Sequence, residues 1–242
     1  MNGSLYRGIK PVMWSPVEKT ALAEAEIEYH DHISTTIFAR FPVIKTSLDI
    51  ISDFEIIIWT TTPWTMPGNR AVAYGKDIDY SLIEVTNVGE NSLAKIGDKI
   101  IIAKELVEDV MKEISVLSFN SPNTLKGSDF AGTVLAHPLN NNGYEHEVLL
   151  LEADFVTTDQ GTGFVHIAPG HGADDFELGR QNNLPIPETV SDNGILNSDL
   201  PLLGGLRVLK DNEIIADIMS EHNALIGRGK LNHSYPHSWR SK

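Results

Sequence analysis

The residues best suited to chemistry lie in two short stretches. Gly161 to Asp175 reads GTGFVHIAPGHGADD, and Glu55 to Asn69 reads EIIIWTTTPWTMPGN. In the first, His166 and His171 can titrate near neutral pH or donate hydrogen bonds. Gly161, Gly163, Gly170 and Gly172 allow tight turns and close approach to a ligand. Asp174 and Asp175 precede the helix-like run FELGRQNN. Both carboxylates are therefore expected in a first helical turn, where the helix dipole favours negative charge. In the second stretch, Thr60, Thr61 and Thr62 follow the buried-strand run Ile56 to Trp59. Pro63 then ends the strand, since it cannot donate to a ladder. Three hydroxyls at a strand end can hold a water or a polar ligand. The bland readings compete: threonine simply favours strands, and the glycine-rich stretch is a connection with an acidic helix start.

Positioning such residues takes a scaffold, and the pattern predicts one made mostly of strands. ALAEAEIEY alternates apolar and charged residues, so Ala21 to Tyr29 reads as a strand despite its helical composition. Thr35 to Val43 reads as its hairpin partner, with His30, Asp31 and His32 in the turn between. Only His30 and His32 share a face there, so a metal reading of that trio is weak. Further strands are expected over Phe54 to Thr62, Arg70 to Tyr74, Tyr80 to Val85, Lys99 to Ala103 and Glu147 to Phe155. Apolar residues at helical spacing predict helices over Lys104 to Ile114, Phe176 to Asn182 and Asp211 to Ala224. In the last of these, Ile214, Ile215, Ile218 and Met219 should face inward. Trp14, among apolar neighbours, should pack. The sum is a β-rich α+β fold with a barrel-like core and about three peripheral helices. No repeat, low-complexity run or linker divides residues 1–242, so one domain is expected.

Composition excludes some functions. The net charge of −14, from 33 acidic and 19 basic residues, argues against gripping nucleic acid by broad phosphate contact. A pocket that takes only the end of an RNA held elsewhere remains compatible. There is no cysteine, which rules out disulfides and thiol catalysis. With no apolar run near the ~18 residues of a membrane span, and no signal-like N-terminus, a cytoplasmic protein away from membranes is expected.

Together, the two stretches resemble the editing (CP1) domain of isoleucyl-tRNA synthetases. The threonine-rich peptide of that family, of the form WTTTPWTxPxNxA, is matched by Trp59 to Ala71. Its second motif, GTGxVHxAPGHGxxD, is matched by Gly161 to Asp175. Arg7 to Pro16 (RGIKPVMWSP), Thr20 to Tyr29 (TALAEAEIEY) and His233 to Arg240 (HSYPHSWR) also resemble the segments around this insertion. Residues 1–16 and 233–242 would then be connections to a synthetase core. Valyl and leucyl editing domains carry an arginine where this chain has Thr62, and lack the histidine found here at 166. Neither the HIGH nor the KMSKS signature of the synthetase core occurs, so no amino-acid activation is expected from this chain.

The resemblance implies a distorted β-barrel and a deacylase: hydrolysis of valine mis-attached to isoleucine tRNA, with isoleucine excluded by size. It implies that Asp175 pairs with the α-ammonium of the substrate. Thr60, Thr61, Thr62 and Thr65 would position water and ester, and Asn69 matches the family's asparagine. His166 would set the size limit and Trp64 would lie near the terminal adenosine. Gly170 and His171 fall within the same binding motif. The implied partners are the 3′ end of isoleucine tRNA carrying valine, valyl-adenylate in a pre-transfer variant, and the rest of the synthetase chain. No cofactor is implied for editing, with ATP and Mg confined to the absent core. Two other classes stay open: a metal-dependent hydrolase using His166, His171, Asp174 and Asp175, and a non-catalytic module that binds a tRNA end.

Overall fold

The computed structural model describes residues 9–242. Arg7 and Gly8, at the start of the expected opening segment, lie outside them. In chain order the strands are β1 (Trp14–Ser15), β2 (Thr20–Ala21), β3 (Ile27–Lys45), β4 (Glu55–Thr60), β5 (Ala71–Tyr74) and β6 (Asp79–Val88). They continue with β7 (Lys99–Ala103), β8 (Val116–Lys126), β9 (Val134–Ala136), β10 (Glu147–Glu152), β11 (Phe164–Ile167) and β12 (Leu225–Ser238). The helices are α1 (Val107–Glu113), α2 (Ala173–Gln181) and α3 (Asn212–Glu221). Ten strands make one mixed sheet in the order β11-β5-β10-β9-β3-β4-β7-β6-β8, with β12 added to β3.

The β-rich α+β architecture is as expected. The barrel is not closed: β11 and β8 are the ends of the strand order. Instead the sheet curls until β11 lies against β4, in its middle. Ala103 N–H at the end of β7 donates to Thr162 O at 2.9 Å, just before β11. Gly163 makes this approach feasible. Its φ is +77°, and a Cβ there would stand 2.2 Å from Ala103 Cβ. A side chain at 163 would be both strained and overlapped. The Tyr80 hydroxyl reinforces the seam, donating to Gly163 O at 2.8 Å and accepting from Gly75 N at 3.0 Å.

The core follows the sequence pattern. Ile56, Ile57 and Ile58 of β4 are fully buried, as are Ile100, Ile101 and Ile102 of β7. Each such side chain contributes about 1.5–3 kcal/mol of hydrophobic stabilisation. Strands buried on both faces read as continuous apolar runs, which is why these two were legible. Tyr80, Phe130 and Phe164 form an aromatic cluster beside them, with Tyr80 and Phe164 centroids 4.4 Å apart.

Four expectations need correction. There is no hairpin turn at His30 to His32: all three lie within the 19-residue β3. Its partner there is β12, where His32 pairs with His233, 201 positions further on. Alternating polarity marked the strand, but nothing local marked a partner so distant. The stretch before it, Glu24–Glu26, is a 3-10 turn rather than strand. Ile214 faces solvent at 47% exposure, while Ile215, Ala216 and Met219 carry the buried face of α3. Trp14 does not pack fully: it is 41% exposed, and its indole N–H donates to Asp192 O at 2.8 Å.

Candidate functional site

The curl of the sheet brings the two motifs to one place. β4 ends at Thr60 and the chain enters a 3-10 turn, Pro63–Gly68. Opposite, β11 ends at Ile167 and the chain turns through Pro169 and Gly170 into α2, with Asp174 and Asp175 in its first turn. Between them lies a cavity of about 220 Å³ lined by Trp59, Thr60, Thr62, Thr65, Val165, His166, Ala168, His171 and Asp175.

The hydroxyls are linked. Thr60 Oγ1 lies 3.1 Å from Thr62 Oγ1 and accepts the Thr62 backbone N–H at 3.1 Å. Thr65 Oγ1 donates to Thr62 O at 2.8 Å. With its proton so used, Thr65 accepts from His166 Nε2 at 2.9 Å. On the other side of the ring, the Asn69 amide donates to His166 Nδ1 at 2.8 Å and to Ala71 O at 2.8 Å. A flipped amide would aim its oxygen at two carbonyls, so the network fixes both the amide and the tautomer: His166 is neutral with its proton on Nε2. Burial agrees, holding the His166 imidazole down at about 3. This ring is a fixed wall, not a base that titrates near neutrality.

His171 is held separately. Its Nε2 lies 2.8 Å from Thr189 Oγ1, and its ring stands edge-on to Trp64 at 5.1 Å. Burial lowers it to about 4. Asp175 Oδ2 accepts the Ala168 backbone N–H at 2.7 Å. Burial pushes this carboxyl above the usual aspartate value, and the Ala168 N–H pulls the other way. Asp174 is exposed and lines a different cavity, with Glu152, Asp154 and Glu177. Adjacent residues in a helical turn point about 100° apart, so only one of the two can face the threonines.

Among the sequence-predicted residues, Thr60, Thr62, Thr65, His166, His171 and Asp175 line the cavity. Thr61, Trp64, Asn69 and Gly170 do not; Asn69 acts on it through His166, and Trp64 through His171. Sequence reasoning missed Trp59, Val165 and Ala168 in the lining. It also missed two buried supports, Thr189 and His137. His137 donates from Nε2 to Met66 O at 3.0 Å and accepts from Leu139 N at 3.1 Å, which steadies the turn carrying Trp64 and Thr65. Neither sits in a motif, so no local signal marked them. Among the described residues, no three His, Asp or Glu side chains form a group able to hold a metal ion. Both nitrogens of His166 are already engaged.

A larger cleft, about 680 Å³, opens at the other end of β4 around Arg40. Its charges satisfy one another: Arg40 pairs with Glu55 and Asp98 at 2.6 Å each. Size alone does not mark the site here.

Acid should unfold this protein through its buried imidazoles. His137 and His166 are held at about 3 and His171 at about 4, each chiefly by burial. Their folded values lie below the ordinary 6.5, so the unfolded chain binds more protons in between. Stability is complete above about pH 6.5 and is lost as pH falls through that window. We expect an acid unfolding midpoint near pH ~4–5, measured by circular dichroism. An unfolding curve flat down to pH ~3 would contradict it.

Comparison with known proteins bears on the fold and the family. A family model described as "Leucyl-tRNA synthetase, editing domain" matches residues 88–201. The crystal structure of GlLeuRS-CP1 superposes with a TM-score of 0.58, covering 84% of this chain and 100% of that one at 12% identity. At that identity the likeness concerns the fold alone. The chain is 49% identical over 255 residues to "Isoleucine--tRNA ligase" of Gluconobacter oxydans (strain 621H), covering 100% of this chain and 27% of that protein. It is 48% identical over 240 residues to the "Isoleucine--tRNA ligase" of Pelagibacter ubique (strain HTCC1062), covering 99% and 26%. Fold and sequence thus define an editing domain of the aminoacyl-tRNA synthetase class. Within that class the chain belongs to the isoleucyl-tRNA synthetase family, although the matching family model carries the leucyl name. It spans about a quarter of the length of the curated relatives it matches. No helix among the described residues is long and apolar enough to cross a membrane.

Proposed function

We propose that this chain is a deacylase that releases valine mis-attached to isoleucine tRNA, working within a longer synthetase chain. One observation carries the reading: a single anion, Asp175, meets three linked hydroxyls and a fixed neutral imidazole at one small cavity. An aminoacyl ester needs those parts. Asp175 pairs with the α-ammonium through a charge-assisted hydrogen bond. Thr60, Thr62 and Thr65 orient the ester and a water. His166, locked by Thr65 and Asn69, bounds the side-chain space. Trp64 and His171 face the nucleoside end. No histidine here titrates near neutrality, and threonine is a poor base. Positioning and electrostatic stabilisation therefore supply the rate, rather than proton abstraction by a side chain. Valyl-adenylate presents the same aminoacyl group, so pre-transfer editing at this cavity is part of the reading. Editing itself calls for no cofactor; ATP and Mg belong to the synthetase core.

The test is single-turnover release of valine from charged isoleucine tRNA in excess chelator. Release above the spontaneous rate supports the reading. Loss on chelation with rescue by metal would favour a metal-dependent hydrolase. Binding without release would make the chain an RNA-end module.

The charge sets a further expectation. With a net charge of −14, this chain by itself should bind tRNA weakly and lose affinity steeply with salt. Nanomolar binding in a filter assay at physiological salt would contradict that.

A further inference from the structure

Gly172, at the start of α2, sits where no backbone conformation demands glycine. Its φ is −149° and its ψ 150°, extended values open to any residue. What it lacks is room. A Cβ on Gly172 would stand 2.7 Å from Asp175 Oδ1 and 3.0 Å from its Cγ. The carboxylate is folded back over the glycine while Ala168 N–H holds Oδ2. Among the described residues, no other residue donates a hydrogen bond to Oδ1.

We propose that Gly172 is a positioning residue. Its missing side chain lets the Asp175 carboxylate lie back against the turn, clamped by one oxygen and offering the other to the substrate ammonium. The proposal rests on the deacylase reading above and deepens it by adding a residue that sets the aim of the anion. A methyl group at 172 leaves the charge present but swings Oδ1 away. Such a change alters recognition of the amine, not merely the amount of folded protein.

The test compares two esters of the same tRNA: valine, and its α-hydroxy analogue, which has no ammonium. The parent chain should hydrolyse the valine ester at least ~10-fold faster, because only that ester has a charged partner for Asp175. In Gly172→Ala this preference should fall to within ~2-fold, with the analogue hydrolysed at nearly the parent rate. Ala173→Gly is the control. It weakens the same helix start without placing an atom near Asp175, and should keep the parent preference. A Gly172→Ala variant that keeps the full preference overturns the proposal while leaving the deacylase reading intact. A parent chain that hydrolyses neither ester overturns the reading, and the proposal with it.

Discussion

Asp175→Ala should nearly abolish valine release, while Asp174→Ala should stay within a few-fold of the parent. Both carboxylates occupy the first turn of α2, so a helix-dipole or capping role would make them alike. The structure separates them. Asp175 lines the threonine cavity and Asp174 lines another. Removing Asp175 leaves the substrate cation without its partner, at a cost of about 2–3 kcal/mol in the transition state. That is roughly a 30- to 150-fold loss of rate. Stability should move the other way. Burial raises this carboxyl above its ordinary value, so its ionised form is held in the fold at some cost. With a folded value above the unfolded one, protonation favours the fold, and ionisation at neutral pH opposes it. Asp175→Asn should therefore melt no lower than the parent while losing activity. Deacylation assays and thermal melts on the three variants decide this. Equal losses at 174 and 175, or a melting temperature that falls in step with activity, would mean the carboxylate is structural.

His166→Ala should admit isoleucine. The imidazole is 8% exposed and tied on both sides, so it cannot swing away to accommodate one more methylene. Forcing a methylene into a fixed space costs about 1–3 kcal/mol. Removing the wall should raise isoleucine release by roughly 5- to 150-fold. The variant also takes one hydrogen-bond partner each from Thr65 and Asn69, which keep their bonds to Thr62 O and Ala71 O, at a cost of about 1–3 kcal/mol of stability. The ratio of isoleucine to valine release is the useful readout, because the folded fraction cancels in it. An unchanged ratio would assign the size limit elsewhere, with Trp59 the next wall to test.

Much of this was legible from residues alone, for physical reasons that differ by element. β4 and β7 announce themselves because strands covered on both faces are apolar throughout. The helix start at Asp174 and Asp175 was legible because first-turn carboxylates follow from the dipole. The two motifs named most of the cavity lining in advance. Long-range partners were not legible. Nothing near His32 points to His233, its partner in β12. Nothing near His171 points to Thr189, which reaches it from a loop beyond α2. Trp59 read only as the last residue of an apolar strand, and its place in the cavity depends on how β11 folds over β4. The unclosed sheet was hidden for the same reason: closure is a property of strand order, which local periodicity does not encode.

The central claim is that this cavity distinguishes valine from isoleucine while hydrolysing an aminoacyl ester. The most direct measurement is the rate of release of each amino acid from the same isoleucine tRNA, in single turnover, by this chain and by a synthetase that carries it. The account predicts valine release well above the spontaneous rate and isoleucine release at background. Equal release of both, or release of neither by either protein, would contradict it.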